Sequence, residues 1–402
     1  MSIPARADRD LMRAINRSAV LNTIKTNGPL PRTEIARANN LSAATITGIV
    51  AELIRDGLVF EKEEGDSSGG RPPILLALNP RNRFVIGLKL TEDRIIGALT
   101  DLEAIILHQE TIAWSGLSPE AAVDGIEELI GRLLPAAGID RHLILGIGIG
   151  LAGIIDAHTG LVRQSPYLPW RDLDLRGLIQ DRLNIPVFLD NDVNMLTLAE
   201  KWFGSGQGIA NFLVVTVGRG VGLGIVVNNQ FYRGVSGGAG EFGHIVVDAG
   251  GPPCDCGKRG CLEAYIEDAA LLRQAHEAAA CGELSRPVET IEDLVALSEN
   301  GDPVARRIFA GAGEVLGRSL ANLINIFNPE LILLAGEGTR AEQWLFDPMR
   351  REAERFALPG LLRDVHIQVE PWGDEAWARG AASLVLRHLF ESPLHREYHE
   401  SG

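Results

Sequence analysis

The chain has 402 residues, 46% hydrophobic and 23% charged, which suits a globular protein of two or three domains and excludes a disordered or fibrous one. Four cysteines are too few for a disulfide framework, no apolar run is long enough for a bilayer, and no basic start leads into an apolar stretch, so a reducing, cytoplasmic setting without a membrane partner is expected. The net charge of −15 argues against nucleic acid, yet residues 1–60 hold eight Lys/Arg against five Asp/Glu. A mildly basic head on an acidic body fits a DNA-contacting module joined to a part that leaves DNA alone.

Leu11, Ile15, Val20, Leu21 and Ile24 supply the apolar positions of a first helix that ends near Asn27-Gly28-Pro29. Pro31 to Ala38 reads as a short second helix and Asn39-Asn40-Leu41 as a turn. Ser42 is a good N-cap for a third helix to about Arg55, whose Ile46, Ile49, Val50, Leu53 and Ile54 repeat at helical spacing. Its other face shows Ser42, Ala43, Thr45 and Thr47, small and polar enough to lie against base edges in a major groove. A strand from Leu58, a turn at Gly69-Gly70-Arg71-Pro72 and a strand from Ile74 complete a winged helix-turn-helix over residues 1–80. Arg71 on the glycine tip suits a narrow minor groove, although Glu61, Glu63, Glu64 and Asp66 weaken attraction to phosphate. Double-stranded operator DNA is therefore an expected partner.

From residue 82 apolar runs alternate with helical segments. Phe84–Leu88, Ile95–Leu99, Ile105–Leu107 and Leu143–Ile149 form one set of strands, with a helix from Pro119 to Leu134 between the last two. Val187–Leu189, Phe212–Val217, Gly222–Val227 and Leu331–Leu334 form a second. Two similar sheets imply an α/β body of two lobes.

Within the second set, Glu241-Phe-Gly-His244 is followed after nine residues by Cys254-Asp-Cys256-Gly257-Lys-Arg-Gly260-Cys261-Leu-Glu263. His244, Cys254, Cys256 and Cys261 have the number and softness of ligands for a closed, tetrahedral structural zinc site. Gly257 and Gly260 let the backbone double back so that a third sulfur reaches the same metal. Glu241 and Glu263 bracket the knot, which suggests a ligand pocket held in shape by the metal.

The body resembles the ROK family (repressors, open reading frames and sugar kinases). The resemblance rests on Gly150-Leu-Ala152-Gly153 with Gly160 and Trp170, Leu189-Asp190-Asn191-Asp192-Val193-Asn194, Ala199-Glu200, and Gly204-Ser-Gly206-x-Gly208. It continues through Gly238-Ala-Gly240-Glu241-Phe-Gly243-His244 with its cysteines, and Asn328-Pro329-Glu330 before Gly336. With the winged head it covers nearly the whole chain and points to the NagC/XylR-type regulator branch. It implies an actin-like, hexokinase-like body: a small lobe over 81–195 completed by a helix at 373–392, and a large lobe over 196–372. It also implies that Asn191, Asp192, Glu241, His244 and Glu263 hydrogen-bond a sugar effector, chemistry that carboxylates and an amide suit in any fold. His244 would bind zinc through one ring nitrogen and a hydroxyl through the other.

Kinase members of the family carry Asp-x-Gly-Gly-Thr after the first strand, and there the residue matching Asp192 is the general base. Here that place reads Ile86-Gly87-Leu88-Lys89-Leu90-Thr91, and the second phosphate turn reads Gly218-Arg219-Gly220. No catalytic residue is therefore assigned. The reading is a sugar-responsive repressor of carbohydrate-metabolism genes, working as a homodimer or homotetramer. Its competitor is a sugar kinase with an accessory DNA-binding head.

Overall fold

The computed structural model describes residues 9–63, 73–114, 117–370 and 374–390. The chain divides into two compact units, Met1–Asp190 with Ala378–Gly402, and Asn191–Trp377.

The head opens the first unit with α1 (Arg9–Asn27), β1 (Leu30–Pro31), α2 (Arg32–Asn39), α3 (Ala43–Arg55), β2 (Val59–Glu63) and β3 (Ile74–Leu78). The strands form a small antiparallel sheet in the order β1-β3-β2. Helical spacing places Val20, Leu21 and Ile24 of α1 and Ile46, Ile49, Val50 and Leu53 of α3 in one buried core with Ile35 of α2. Asn40 takes the left-handed conformation that ends α2, and the Ser42 hydroxyl accepts from the Thr45 N–H at 3.1 Å to start α3. The turn residues thus set the angle of the helix pair. The glycine tip with Arg71 lies outside the described residues.

The rest of this unit is β4 (Phe84–Leu90), β5 (Arg94–Thr100), β6 (Ile106–Ala113), α4 (Pro119–Ala137), β7 (Ile144–Leu151), β8 (Ile154–Asp156), β9 (Leu161–Gln164), β10 (Arg171–Asp174), α5 (Leu175–Leu183) and β11 (Val187–Asn191). Its five-stranded sheet runs β11-β7-β4-β5-β6, with β8–β10 as a separate small sheet. Alternation along β4 sends Ile86 and Leu88 into a core with Ile126, Leu129 and Leu133 of α4. The opposite face of the sheet is glycine-lined where the C-terminal helix crosses. A methyl on Gly148 would stand 1.8 Å from the Ala381 carbonyl oxygen, so the helix backbone lies directly on the strand.

The second unit contains α6 (Asp192–Phe203), β12 (Phe212–Val217), β13 (Val221–Val227), β14 (Gln230–Phe231), α7 (Glu263–Ile266), α8 (Asp268–Ala280), α9 (Ile291–Glu299), α10 (Pro303–Phe327), β15 (Leu331–Ala335), α11 (Glu342–Phe356) and β16 (His366–Val369). The final helix, α12, spans Asp374–Phe390. The sheet order is β14-β13-β12-β15-β16, with β12 parallel to β15 and antiparallel to β13. Leu213, Val215, Leu223, Ile332 and Leu334 face the large core under α8–α11, while Phe212, Val214, Val226 and Leu333 face α6.

The boundary expected at 195/196 falls inside α6, whereas the units divide between Asp190 and Asn191. The physical reason is that α6 packs on β13 with Val193 against Gly222 and Thr197 against Gly224. The head also contacts the rest of the first unit. Asn82 donates to the Gly57 carbonyl at 3.2 Å, Leu102 N–H to that of Pro80 at 3.2 Å, and the Lys25 ammonium lies 4.4 Å from the centre of the Phe390 ring. These contacts tie the head to its own unit. Among the described residues no helix is long and apolar enough to cross a membrane.

Candidate metal and ligand site

All five candidate ligand residues belong to the second unit. Asn191 caps α6: its Oδ1 accepts from the Val193 N–H at 2.8 Å and the Asn194 N–H at 3.4 Å. That oxygen is thus committed to the cap of the helix. Asp192 follows in the first turn, and its Oδ1 also accepts from the Val193 N–H, at 3.0 Å.

Glu241 and His244 sit on the segment between β14 and α7, and Glu263 is the first residue of α7. Phe242 and Leu262, both buried, pin that segment to the core. A short turn at Phe242 carries the chain from Glu241 to His244, and the chain then folds into a knuckle. Val246 bridges Cys261, Pro253 bridges Arg259, and the Cys254 N–H donates to the Lys258 carbonyl at 2.9 Å. At Gly260, φ is +69° and a methyl would lie 1.5 Å from the Asp248 carbonyl oxygen, so any side chain there breaks the knuckle.

The result is a shared centre. Ligand atoms of His244, Cys254, Cys256 and Cys261 all lie within 4.8 Å of one another. His244 Nδ1 is 3.7 Å from Cys254 Sγ, and the Cys256 and Cys261 sulfurs are 3.6 Å apart. A tetrahedron with metal–sulfur bonds of about 2.3 Å has edges of about 3.7 Å, so these spacings fit a single four-coordinate ion. Burial, with hydrogen bonding to the neighbouring thiols, pushes Cys254 up to about 12, and burial with the Cys256 contact raises Cys261. Cys256 is lowered: burial opposes this, but the Lys258 N–H and the other two thiols outweigh it. Such a set gathers three thiolates only around a positive charge.

His244 joins this centre to the carboxylates. Its Nδ1 faces Cys254, while Nε2 points to Glu241 at 3.9 Å. Glu263 lies 3.7 Å from Nδ1 through one oxygen and accepts from the Val221 N–H at 2.9 Å through the other, which fixes it against β13. Glu241 is 45% exposed, yet its carboxyl is held above the usual range. Shielding from water is the first cause and the charges of Glu263 and Asp192 add to it, while His244 and Lys258 pull it down. Sequence reasoning passed over Lys258, whose ammonium donates to the His244 carbonyl at 3.0 Å; its place inside the cysteine knuckle was the available signal.

In the head, Ser42, Ala43 and Thr47 are exposed, while Thr45 is half-buried with its hydroxyl 2.8 Å from that of Ser42. Two turns of the body are each lined by side chains. The β4–β5 turn closes on itself: the Thr91 hydroxyl donates to Asp93 at 2.7 Å, and the Trp114 ring N–H to the Thr91 carbonyl at 2.8 Å. At the Gly218-Arg219-Gly220 turn, a methyl on Gly218 would meet a Glu337 carboxylate oxygen at 2.5 Å. A carboxylate therefore lies against that glycine. Glu337 sits between Gly336 and Gly338, a context in which sequence alone gave no warning.

Residues 85–388 match the ROK family and residues 13–59 match a winged helix-turn-helix DNA-binding family. A xylose repressor of Bacillus spizizenii is 33% identical over 385 residues, covering 96% of this chain and 98% of that one. A crystal structure of a ROK family transcriptional regulator, a homologue of the Escherichia coli Mlc protein, superposes with a TM-score of 0.86 at 29% identity, over 98% of this chain and all of the other. A ROK family glucokinase from Streptomyces griseus, solved with glucose and AMPPNP, is 31% identical with a TM-score of 0.64, covering 75% of this chain and 98% of that one. By the extent of these matches and by the site it carries, this chain belongs to the ROK family.

Proposed function

We infer that the protein is a sugar-responsive DNA-binding transcriptional repressor. The observation that carries this reading is the likeness over the whole chain, head included, to a regulator structure and a repressor. The glucokinase, by contrast, covers only three quarters of it. The head takes operator DNA in the cytoplasm, and the chain works as a homodimer or homotetramer, since paired heads match paired half-sites. Zinc at His244, Cys254, Cys256 and Cys261 is structural, because four protein ligands leave no open position. Asn191, Asp192, Glu241, His244 and Glu263 hold the sugar. Selection of duplexes by the full-length protein from a randomised pool, followed by sugar titration of the enriched duplex, tests the reading. Failure to enrich any duplex would defeat it.

The charge around the site favours a neutral sugar. Asp192, Glu241 and Glu263 face Lys258 and His244, so an added phosphate meets an excess of carboxylates. We expect a neutral aldose, with pentoses first in the panel given the xylose repressor relative, to bind at least about tenfold tighter than its phosphate ester. Calorimetry with matched pairs checks this, and a preference for the esters would count against the residue set.

The body does not phosphorylate its sugar. Phosphoryl transfer needs backbone cradles and magnesium at the β- and γ-phosphates. Here the β4–β5 turn is closed by its own side chains and Glu337 lies against Gly218. Sugar-dependent ATP consumption should stay well below the ~1 s⁻¹ that marks slow kinases. A coupled assay across a sugar panel checks it.

A further inference from the structure

The exposed face of α3 is unusual for a helix that reads bases. The exposed residues are Ala43, Ala44, Thr47, Gly48, Ala51 and Arg55, which share one side of the helix, opposite buried Ile46, Ile49, Val50 and Leu53. From 43 to 51 the sequence is Ala-Ala-Thr-Ile-Thr-Gly-Ile-Val-Ala, without a charged or amide side chain. The bidentate partners that usually specify sequence, Arg for guanine and Asn or Gln for adenine, are absent from the part of the helix that enters the groove. The first long polar side chains are Glu52, which pairs with Arg13, and Arg55, 3.5 Å from Asp56.

Gly48 gives a second, separate observation. Glycine in mid-helix weakens the helix, and here nothing inside the protein calls for it, since a methyl at Gly48 would have no atom within 4 Å. The nearest hydroxyl on this face is also turned inward. Thr47 Oγ1 donates to the Ala43 carbonyl at 2.8 Å, so what Thr47 adds to the surface is its methyl group and acceptor lone pairs. A helix surface of methyls around a bare backbone position is built for close approach to something apolar outside the chain.

We propose that α3 reads thymine methyl groups by direct apolar contact, with Gly48 letting the helix backbone come close to the groove floor. The inference rests on the DNA-binding reading above and adds the class of base edge recognised. Among base edges in the major groove, only thymine presents a methyl group, so a side-chain-poor face of Ala43, Ala44, Thr47 and Ala51 discriminates by shape and dispersion where hydrogen bonds are lacking.

The test uses the full-length protein and a duplex enriched from a randomised pool. Thymines inside the protected half-sites are replaced one at a time and then together by deoxyuridine, which removes the methyl and keeps the pairing. Combined replacement should weaken binding by about tenfold or more, while replacement outside the half-sites has little effect. In parallel, Gly48→Leu should raise the melting temperature, because leucine is a far better helix former, yet weaken DNA binding at least about tenfold by holding the helix off the groove. Equal affinity for the thymine and deoxyuridine half-sites would overturn the proposal and leave the repressor reading standing. So would a Gly48→Leu protein that binds as tightly as the parent. If no duplex enriches at all, the DNA-binding reading itself fails.

Discussion

Cys256→Ser should leave the protein without its metal and strongly destabilise the second unit. Cys256 is the informative choice because it is exposed, whereas Cys261 is fully buried and its loss would also disturb packing. Little hydrophobic burial goes with the Cys256 thiol, so the effect measures the metal. The knuckle has few other resources: it is held by two isolated bridges and a handful of backbone hydrogen bonds, while Cys254 and Cys256 stand near its surface. Binding energy at a structural zinc site is folding energy, and loss of a metal is among the few single changes that exceed about 4 kcal/mol. For a unit of this size that is a fall in Tm of roughly 8–15 °C. Elemental analysis should find one zinc per chain in the parent and almost none in the variant, and Cys281→Ser, at the exposed cysteine outside the knuckle, should match the parent in both. A parent that is well folded with clearly substoichiometric zinc would sink the assignment. The pH dependence has a definite sign. Thiols bind zinc as thiolates and must release their protons on binding, so zinc affinity should climb with pH through neutrality.

Glu241→Ala should abolish the sugar response while leaving ligand-free operator binding near that of the parent. The head lies in one unit and the five candidate sugar ligands in the other, so a response has to pass from unit to unit or through the assembly they form. The head is tied to its unit through Gly57–Asn82, Pro80–Leu102 and Lys25–Phe390. A sugar shifts such an equilibrium only by its differential affinity for the two states, and about 1–3 kcal/mol, or 5- to 150-fold, is the usual coupling. By reciprocity operator DNA must change sugar affinity by the same factor. Asn191→Asp is a sharper partner variant than Asn191→Ala. It keeps an oxygen for the α6 cap but adds a further negative charge beside Asp192, so it should weaken sugar binding without loosening the helix. His244→Ala is a poorer probe, since it removes a metal ligand as well. A sugar that binds tightly yet leaves operator affinity unchanged at saturation would refute the mechanism.

Much of this protein follows from local chemistry. Ser42 and its helical apolar repeat are enough to place α3, because a cap bond and a 3.6-residue period involve only near neighbours. His244, Cys254, Cys256 and Cys261 are legible as one centre for the same reason: three of the ligands fall within eight residues, and Gly260 marks the reversal that brings them together. Glu241 and Glu263 stand out because they bracket the knuckle, whereas Asn191 and Asp192 were reachable only through resemblance to a family, since nothing local links the cap of α6 to the knuckle. What depends on distant packing was hidden. The division at Asp190 follows from α6 lying on glycines of β13, and the head's attachment follows from Lys25 meeting a ring at the far end of the chain. The carboxylate of Glu337 against Gly218 is likewise a contact between a strand end and a turn more than a hundred residues earlier. Sequence determines caps, periods and ligand spacing because their energies are local; the tertiary structure decides which of those pieces face each other, because that is set by the close approach of backbones no short window contains.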